Sequence, residues 1–411
     1  MNSLDYAISL DNQDNLSDAK KLFHIPKNST YLCGHSLGLQ PKKTSEFINQ
    51  ELEDWKNLGV LGHFEAKNPW YPYHEFLNKQ SANIVGALQE EVVVMNSLTV
   101  NLHLLLTSFY NPIGSKNKII IDTPCFPSDR YAVNSHIKNR NLDVKKTLIE
   151  LVPENGKNYL ENNYIINQIE KHGNETHLIL LSGVNYYNGQ YYNIDLISKK
   201  AKEYDCIIGL DLAHAVGNVK LFLHDWDIDF AIWCGYKYLN GGPGAPGSAF
   251  INKRYLSKDI KRLEGWWGHN KESRFELKNT FETSNTAESW QLSNPPIFSM
   301  AALWSSLNIF DEIGMDSISL KSIKLTSYLY TLLSNISDVE ILTPKNQDSR
   351  GAQLSIRLKN FDKNIYNKLI KNGFICDLRS PDILRIAPAP LYNSFEDVYN
   401  FSQYLNSLIN D

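Results

Sequence analysis

A chain of 411 residues with 42% hydrophobic and 21% charged side chains has the composition of an ordinary globular protein long enough for two core-bearing domains, which excludes a disordered or fibrous chain. The net charge of −4, with both signs mixed along the chain, leaves no basic face for a phosphate backbone, so no nucleic-acid partner is expected. No apolar run approaches the roughly 20 residues a membrane-spanning helix needs, so no membrane partner is expected either.

The opening MNSLDYAISLDNQDNLSDAK is acidic and polar, without the layout of a secretory signal or a transit peptide, and the expectation is a cytoplasmic protein. Five cysteines (Cys33, Cys125, Cys206, Cys234, Cys376) lie far apart, the pattern of reduced thiols rather than a disulfide framework or a zinc knuckle, and no metal site is expected. Residues 1–30 show weak helical periodicity, an arm that packs on something else. YLCGHSLGLQP (31–41) follows, its glycines serving either a turn or close approach of backbone to a ligand. Phe47, Ile48, Leu52 and Trp55 recur at helical spacing until Gly59. GVLGHFEAKNPWYPYHE then crowds aromatics, prolines, His63, Lys67 and His74 into irregular chain of a kind an aromatic substrate would lie against.

From residue 91 the chain alternates strands and helices: EVVVMN, a helix from about Thr99 to Tyr110, KIIIDTP, a helix near 128–139, LILLSGV, a helix near 195–204, CIIGLDLA, FAIWCGYKY and GSAFIN. Short apolar runs between helices mark strands buried on both faces of a mainly parallel sheet, so the fold class is α/β, a sheet sandwiched by helices. After SNPPIFS, long helical patterns run to residue 334. VEILT, AQLSIRL, GFICDL, ILRIAP and a helix from 394 then make a second, smaller α/β domain.

In open α/β sheets ligands bind beyond the carboxyl ends of strands. Asn96 to Thr99 closes one strand and opens a helix whose free N–H groups favour an anion such as phosphate, although taken alone the motif reads more readily as Ser97 or Thr99 capping the helix. Phe126 to Asp129 does the same after the next strand, with a ring that can stack on a planar ligand, and Ser182 ends the one after. Asp211 ends the fourth run, where a carboxylate needs a cation or donors; a pyridinium nitrogen or the following turn would serve. Lys237 closes FAIWCGYK, either as a strand-end lysine or as an amine for a Schiff base. Together these three features suit a fold-type-I pyridoxal phosphate enzyme.

With YLCGHSLGLQP, FPSDRYA, SGVNYYNGQ, DLAHAVGN, LHDWDIDFAIWCGYKYLNGG, GWWGH, SNPPI and RIAPAPLYNSFEDVY in place, the chain resembles the kynureninase family over nearly its whole length. The resemblance implies pyridoxal 5'-phosphate and hydrolysis of the Cβ–Cγ bond of kynurenine or 3-hydroxykynurenine to an anthranilate and alanine, in a tryptophan-degrading route that feeds NAD synthesis. It implies a homodimer with shared sites and a division into an N-terminal arm and helix packing on the small domain (1–60), a large cofactor domain (61–294) and a small C-terminal domain (295–411). Lys237 becomes the covalent anchor, Asp211 the partner of the ring nitrogen, His214 a neighbour of the ring and Phe126 its stacking partner. Leu98 and Thr99 would hold the phosphate, with Asp129, Ser182 and Tyr236 completing the polar shell. Trp266 and Asn294 would reach into the neighbouring subunit's site. Arg385 would grip the substrate carboxylate, with Ser36 also facing substrate, and Tyr236 is either an acid/base or a phosphate ligand alone. His63, Ser293 and Asn294 match residues of members that prefer the 3-hydroxylated substrate. His35 departs from the family's usual Asn. The rivals are a cysteine desulfurase or aminotransferase of the same fold, against which the lack of a cysteine in a late loop speaks, and a scaffold that has lost catalysis.

Overall fold

The computed structural model describes residues 2–410. Its strands are β1 (Thr30–Tyr31), β2 (Val92–Val94), β3 (Lys118–Asp122), β4 (Leu148–Leu151), β5 (Thr176–Ser182), β6 (Ile207–Asp211), β7 (Phe230–Cys234), β8 (Gly247–Ile251), β9 (Val339–Ile341), β10 (Leu354–Leu358), β11 (Phe374–Ile375), β12 (Asp377–Arg379) and β13 (Ile383–Ile386). Seven form the large sheet in the order β2-β8-β7-β6-β5-β3-β4. Pairing is parallel from β4 through to β7, and β8 runs antiparallel to both β7 and β2. The central strands are buried on both faces because helices cover both, which is why IIID, LILL, IIGL and FAIW read as unbroken apolar runs. β4 escaped the sequence reading: LIEL lies at the sheet edge, only Leu151 is buried, and the lysines before it mask the pattern.

The smaller sheet is antiparallel, in the order β12-β13-β10-β9. GFICDL is not one strand. It breaks at Cys376, because Phe374–Ile375 pairs with β1 whereas Asp377–Arg379 pairs with β13. The small-sheet core gathers Leu325, Leu329, Leu354, Ile356, Leu384, Ile386 and Phe401 with Ala7 and Leu32 of the N-terminal segment. The Asp11 carboxylate accepts from the backbone N–H of Phe395 (2.8 Å) and Glu396 (2.9 Å), so the arm caps the last helix, Phe395–Asn410.

Helix Ile297–Ile313, which the sequence places with the small domain, packs instead on the large core through Met300, Leu303, Leu307 and Phe310. Helix Thr44–Leu58 lies against it, with Phe47 edge-on to Trp304 (5.5 Å) and the Thr44 and Ser305 hydroxyls 2.9 Å apart. Apolar residues on most faces of IFSMAALWSSLNIF let this helix bury against both neighbours.

Candidate active site

The parallel strands end along one edge, and the register aligns what they carry: Ser182 stands opposite Asp211, and Asp211 opposite Ile232 of β7. Beyond these ends opens a cleft lined by Leu98, Thr99, Phe126, Ser128, Ser182, Val184, Tyr186, Asp211, Ala213, His214, Tyr236 and Lys237. Eight residues singled out in the sequence as cofactor ligands thus meet in one place.

The phosphate-type end is built by two helix starts. Helix Leu98–Phe109 begins after Ser97, whose side chain caps nothing, and Thr99 Oγ1 lies 2.7 Å from Ser128 Oγ in the first turn of helix Pro127–Asn139. Capping is therefore not the role of Ser97 or Thr99, and two hydroxyls and unclaimed N–H groups converge where an anion is stabilised. Ser128 was visible in FPSD but not singled out.

The opposite end is acidic. Asp211 Oδ1 accepts from the backbone N–H of Ala213 at 2.8 Å, so it does cap its turn. Its side chain also meets Asp129, which is buried, with Oδ1 lacking any hydrogen-bond partner. Burial, and then the neighbouring Asp211 carboxylate, push the Asp129 carboxyl well above the usual carboxylate range. Behind them the buried Asp122 accepts from Ser182 N–H (3.1 Å), Asn185 Nδ2 (2.9 Å) and Tyr192 Oη (3.0 Å). An acid pair with an orphaned oxygen suits a protonated ring nitrogen.

Between these ends lies Lys237, whose Nζ is 3.1 Å from His214 Nε2 and 5.8 Å from the Phe126 ring centre. Burial, then the Lys237 charge, hold the His214 imidazole well below its ordinary pKa, so it is neutral and accepts the lysine's hydrogen bond. Burial, then Cys234, push the Tyr236 hydroxyl up to about 12. A planar, phosphorylated, ring-nitrogen aldehyde matches this donor set, so the residues present fit pyridoxal phosphate: hydroxyls and N–H groups for its phosphate, an acid pair for its nitrogen, an amine for its aldehyde and the Phe126 face for stacking.

Arg385 is 1% exposed. It donates from Nε (2.7 Å) to Asp377 Oδ2, with Nη2 2.6 Å from the same oxygen, and from Nη1 (2.8 Å) to the Tyr186 carbonyl. Asp377 and Tyr186 went unremarked in the sequence; their link to Arg385 is spatial, and only the alternation of an acid into the apolar ICDL hinted at the first. Within the chain the remaining expected residues lie off the cleft. His63 stands edge-on to Trp70 at 5.5 Å, Trp266 is half-exposed beside Phe275 (5.7 Å), and Ser36, Ser293 and Asn294 are exposed.

Sequence comparison decides the family. A sequence model described as the kynureninase C-terminal domain matches residues 318–405. The kynureninase of Koribacter versatilis is 48% identical over 97% of this chain and 96% of its own, and that of Myxococcus xanthus 47% identical over the same shares. The chain belongs to the kynureninase family. Among solved structures, an apo cysteine desulfurase from Thermococcus onnurineus superposes with a TM-score of 0.78, covering 96% of this chain and 98% of that one at 17% identity. A C-DES mutant with glycine covalently linked to its pyridoxal phosphate superposes with a TM-score of 0.80 at 15% identity, covering 92% of this chain and 97% of that one. At such identities the likeness shows the fold alone, the fold-type-I architecture on which the family's site is built.

Proposed function

We propose that this family member is a pyridoxal 5'-phosphate-dependent hydrolase that cleaves the Cβ–Cγ bond of kynurenine and 3-hydroxykynurenine, releasing an anthranilate and L-alanine in tryptophan catabolism. The observation that carries the reading is the pairing, across one cleft, of the Asp129–Asp211 acids with the Lys237–His214 bases, in a chain matched to kynureninases along nearly its full length. When bound, the cofactor supplies the electron sink for charge developing beside the substrate's amine. The chain's residues do the rest. Lys237 Nζ anchors the cofactor and moves the α-proton, held in direction by neutral His214 Nε2. Asp211, backed by Asp129 with its raised pKa, would hold the cofactor's ring nitrogen in its protonated form. Tyr236 Oη, protonated at neutral pH, is the proton donor we assign to Cβ once water has added to the γ-carbonyl and the bond has broken. Arg385 takes the α-carboxylate.

The working unit is a homodimer in which Trp266 and Asn294 complete the neighbouring subunit's site, with His63 and Ser293 among the substrate-binding residues. Supporting this, Trp266 belongs to an exposed apolar surface with Phe64, Phe275 and Leu277. His63 and the Ser293-Asn294 pair suit a phenolic hydroxyl, so 3-hydroxykynurenine is the preferred substrate, and a route toward NAD precursors is its setting. We divide the chain functionally into the arm with its helix (1–60), the cofactor-binding part (61–294) and the carboxylate-binding part (295–411). A cytoplasmic location agrees with five free thiols among the described residues; no helix there is long and apolar enough to cross a membrane. Those thiols are all pushed up in pKa by burial, which opposes the cysteine-based chemistry of a desulfurase. The test is turnover by the reconstituted holoenzyme. Equimolar anthranilate and alanine, with kcat/KM higher for 3-hydroxykynurenine, is expected; sulfide from cysteine with no anthranilate would overturn the reading, and equal kcat/KM values would overturn the preference.

A further inference from the structure

One buried side chain within the fields of the Lys237 amine and the Arg385 guanidinium has only a long contact, to the Asp377 carboxylate, for a partner. His35 is 1% exposed, and neither ring nitrogen makes a hydrogen bond. Bare buried donors and acceptors are costly and few in folded chains, so such a group points to a missing ligand.

His35 sits where the two halves of the site are sewn together. The Leu32 carbonyl accepts from the backbone N–H of Ala387 at 2.9 Å, two residues past Arg385, and Gly38 N–H donates to the Tyr236 carbonyl at 2.8 Å, next to Lys237. Gly38 can carry no side chain here, since a Cβ would come within 2.3 Å of the Lys237 carbonyl. The imidazole is thereby fixed with Nε2 4.0 Å from Asp377 Oδ2 and its ring centre 6.0 Å from that of His214, the partner of Lys237. It feels the Asp377 carboxylate on one side and the charges of Arg385 and Lys237 on the other.

The charges around it define what is absent. Asp377 Oδ2 faces two guanidiniums, Arg385 Nη2 at 2.6 Å and Arg379 Nε at 3.0 Å. Two cations on one carboxylate leave one positive charge uncompensated, the complement of a single carboxylate. Arg385 has already committed N–H groups on Nε, Nη1 and Nη2, and an incoming carboxylate would meet the remainder under repulsion from Asp377. An uncharged donor close by relieves this without adding a third cation. Burial lowers the His35 pKa to about 4, so the ring is neutral at neutral pH and keeps one N–H to give.

We propose that His35 is a substrate-binding residue that donates a ring N–H to the α-carboxylate of the bound amino acid, beside Arg385. The inference rests on the amino-acid substrate proposed above. It is tested in the holoenzyme with His35→Leu, which removes the donor, and His35→Asn, which supplies a neutral N–H; His35→Phe takes the place of the leucine variant should that not fold. Binding of L-kynurenine and of its decarboxylated amine is read from the rapid change in the cofactor's absorbance on mixing, before turnover, alongside KM and kcat. Loss of the donor should weaken L-kynurenine about tenfold or more and raise KM accordingly, with kcat within about threefold and amine binding unchanged, and asparagine should restore most of the loss. Equal weakening of both ligands, an unchanged affinity for L-kynurenine, or an asparagine variant no better than leucine would overturn the assignment. Because the pair of ligands is compared by binding, the result decides on His35 whether or not anthranilate is released.

Discussion

Asp129 shows how the burial of a single carboxyl makes stability depend on pH. Its folded pKa lies above the unfolded one, through burial first and Asp211 second. Its contribution to stability is therefore fully present below the unfolded carboxylate value of about 3.9 and is lost as pH rises through the elevated folded value. In the apoenzyme Asp129→Asn should therefore raise stability near pH 7.5 by roughly 1–2 kcal/mol and by less at pH 5, while cofactor affinity drops. Thermal melts of apo wild type and variant from pH 5 to 8 check this; an apo variant less stable than wild type at pH 7.5 would refute it. Asp211 and Lys237 were legible as strand-end residues, because a charge closing a doubly buried apolar run has few roles. Asp129's contact with Asp211 was not, because the two come from different βα turns.

At the level of elements, the loop after helix Thr44–Leu58 is held by a carboxylate that the sequence leaves anonymous. Glu51, 1% exposed, accepts from Asn68 Nδ2 (3.0 Å), Trp70 Nε1 (2.8 Å) and Tyr73 Oη (3.0 Å). Trp70 in turn supports the His63 ring and packs so closely on Gly62 that a Cβ there would come within 2.4 Å of it. Glu51→Ala strands three donors, so it should cost about 3 kcal/mol in urea denaturation. By loosening His63 it should also lower the ratio of kcat/KM for 3-hydroxykynurenine over kynurenine; an unchanged ratio would detach His63 from selectivity. The helix expected from about Thr99 to Tyr110 runs from Leu98 to Phe109, and the central strands fall where expected, because buried runs and turn residues are local signals. β4 and the split at Cys376 were illegible because strand partners, not local pattern, decide them.

For the whole molecule, buried histidines set the acid limit. Burial is the leading cause that depresses His35 and His136 to about 4 and His214 well below its ordinary value. Each contributes stability present above the unfolded value of about 6.5 and lost as pH falls toward the folded one, at up to about 1.4 kcal/mol per pH unit. Apoenzyme stability should thus decline already between pH 6.5 and 5, and a flat profile there would contradict the burial of these rings. The α/β class was legible from the alternation of strands and helices, but the packing of helix Ile297–Ile313 on the large core was not, since its apolar residues would suit either domain. Shared sites predict that mixing inactive Lys237→Ala and Asn294→Ala proteins restores part of the activity, up to about a quarter of wild type if subunits exchange at random; no recovery on exchange would leave each site within one chain. The central claim, that Lys237 at the head of this cleft carries the hydrolysis, meets its most direct test when wild type and Lys237→Ala holoenzyme preparations are each incubated with 3-hydroxykynurenine and the release of 3-hydroxyanthranilate and alanine is followed. Equimolar products from wild type with the variant slowed by at least about a thousandfold is the predicted result. Products from the alanine variant at the wild-type rate would contradict it.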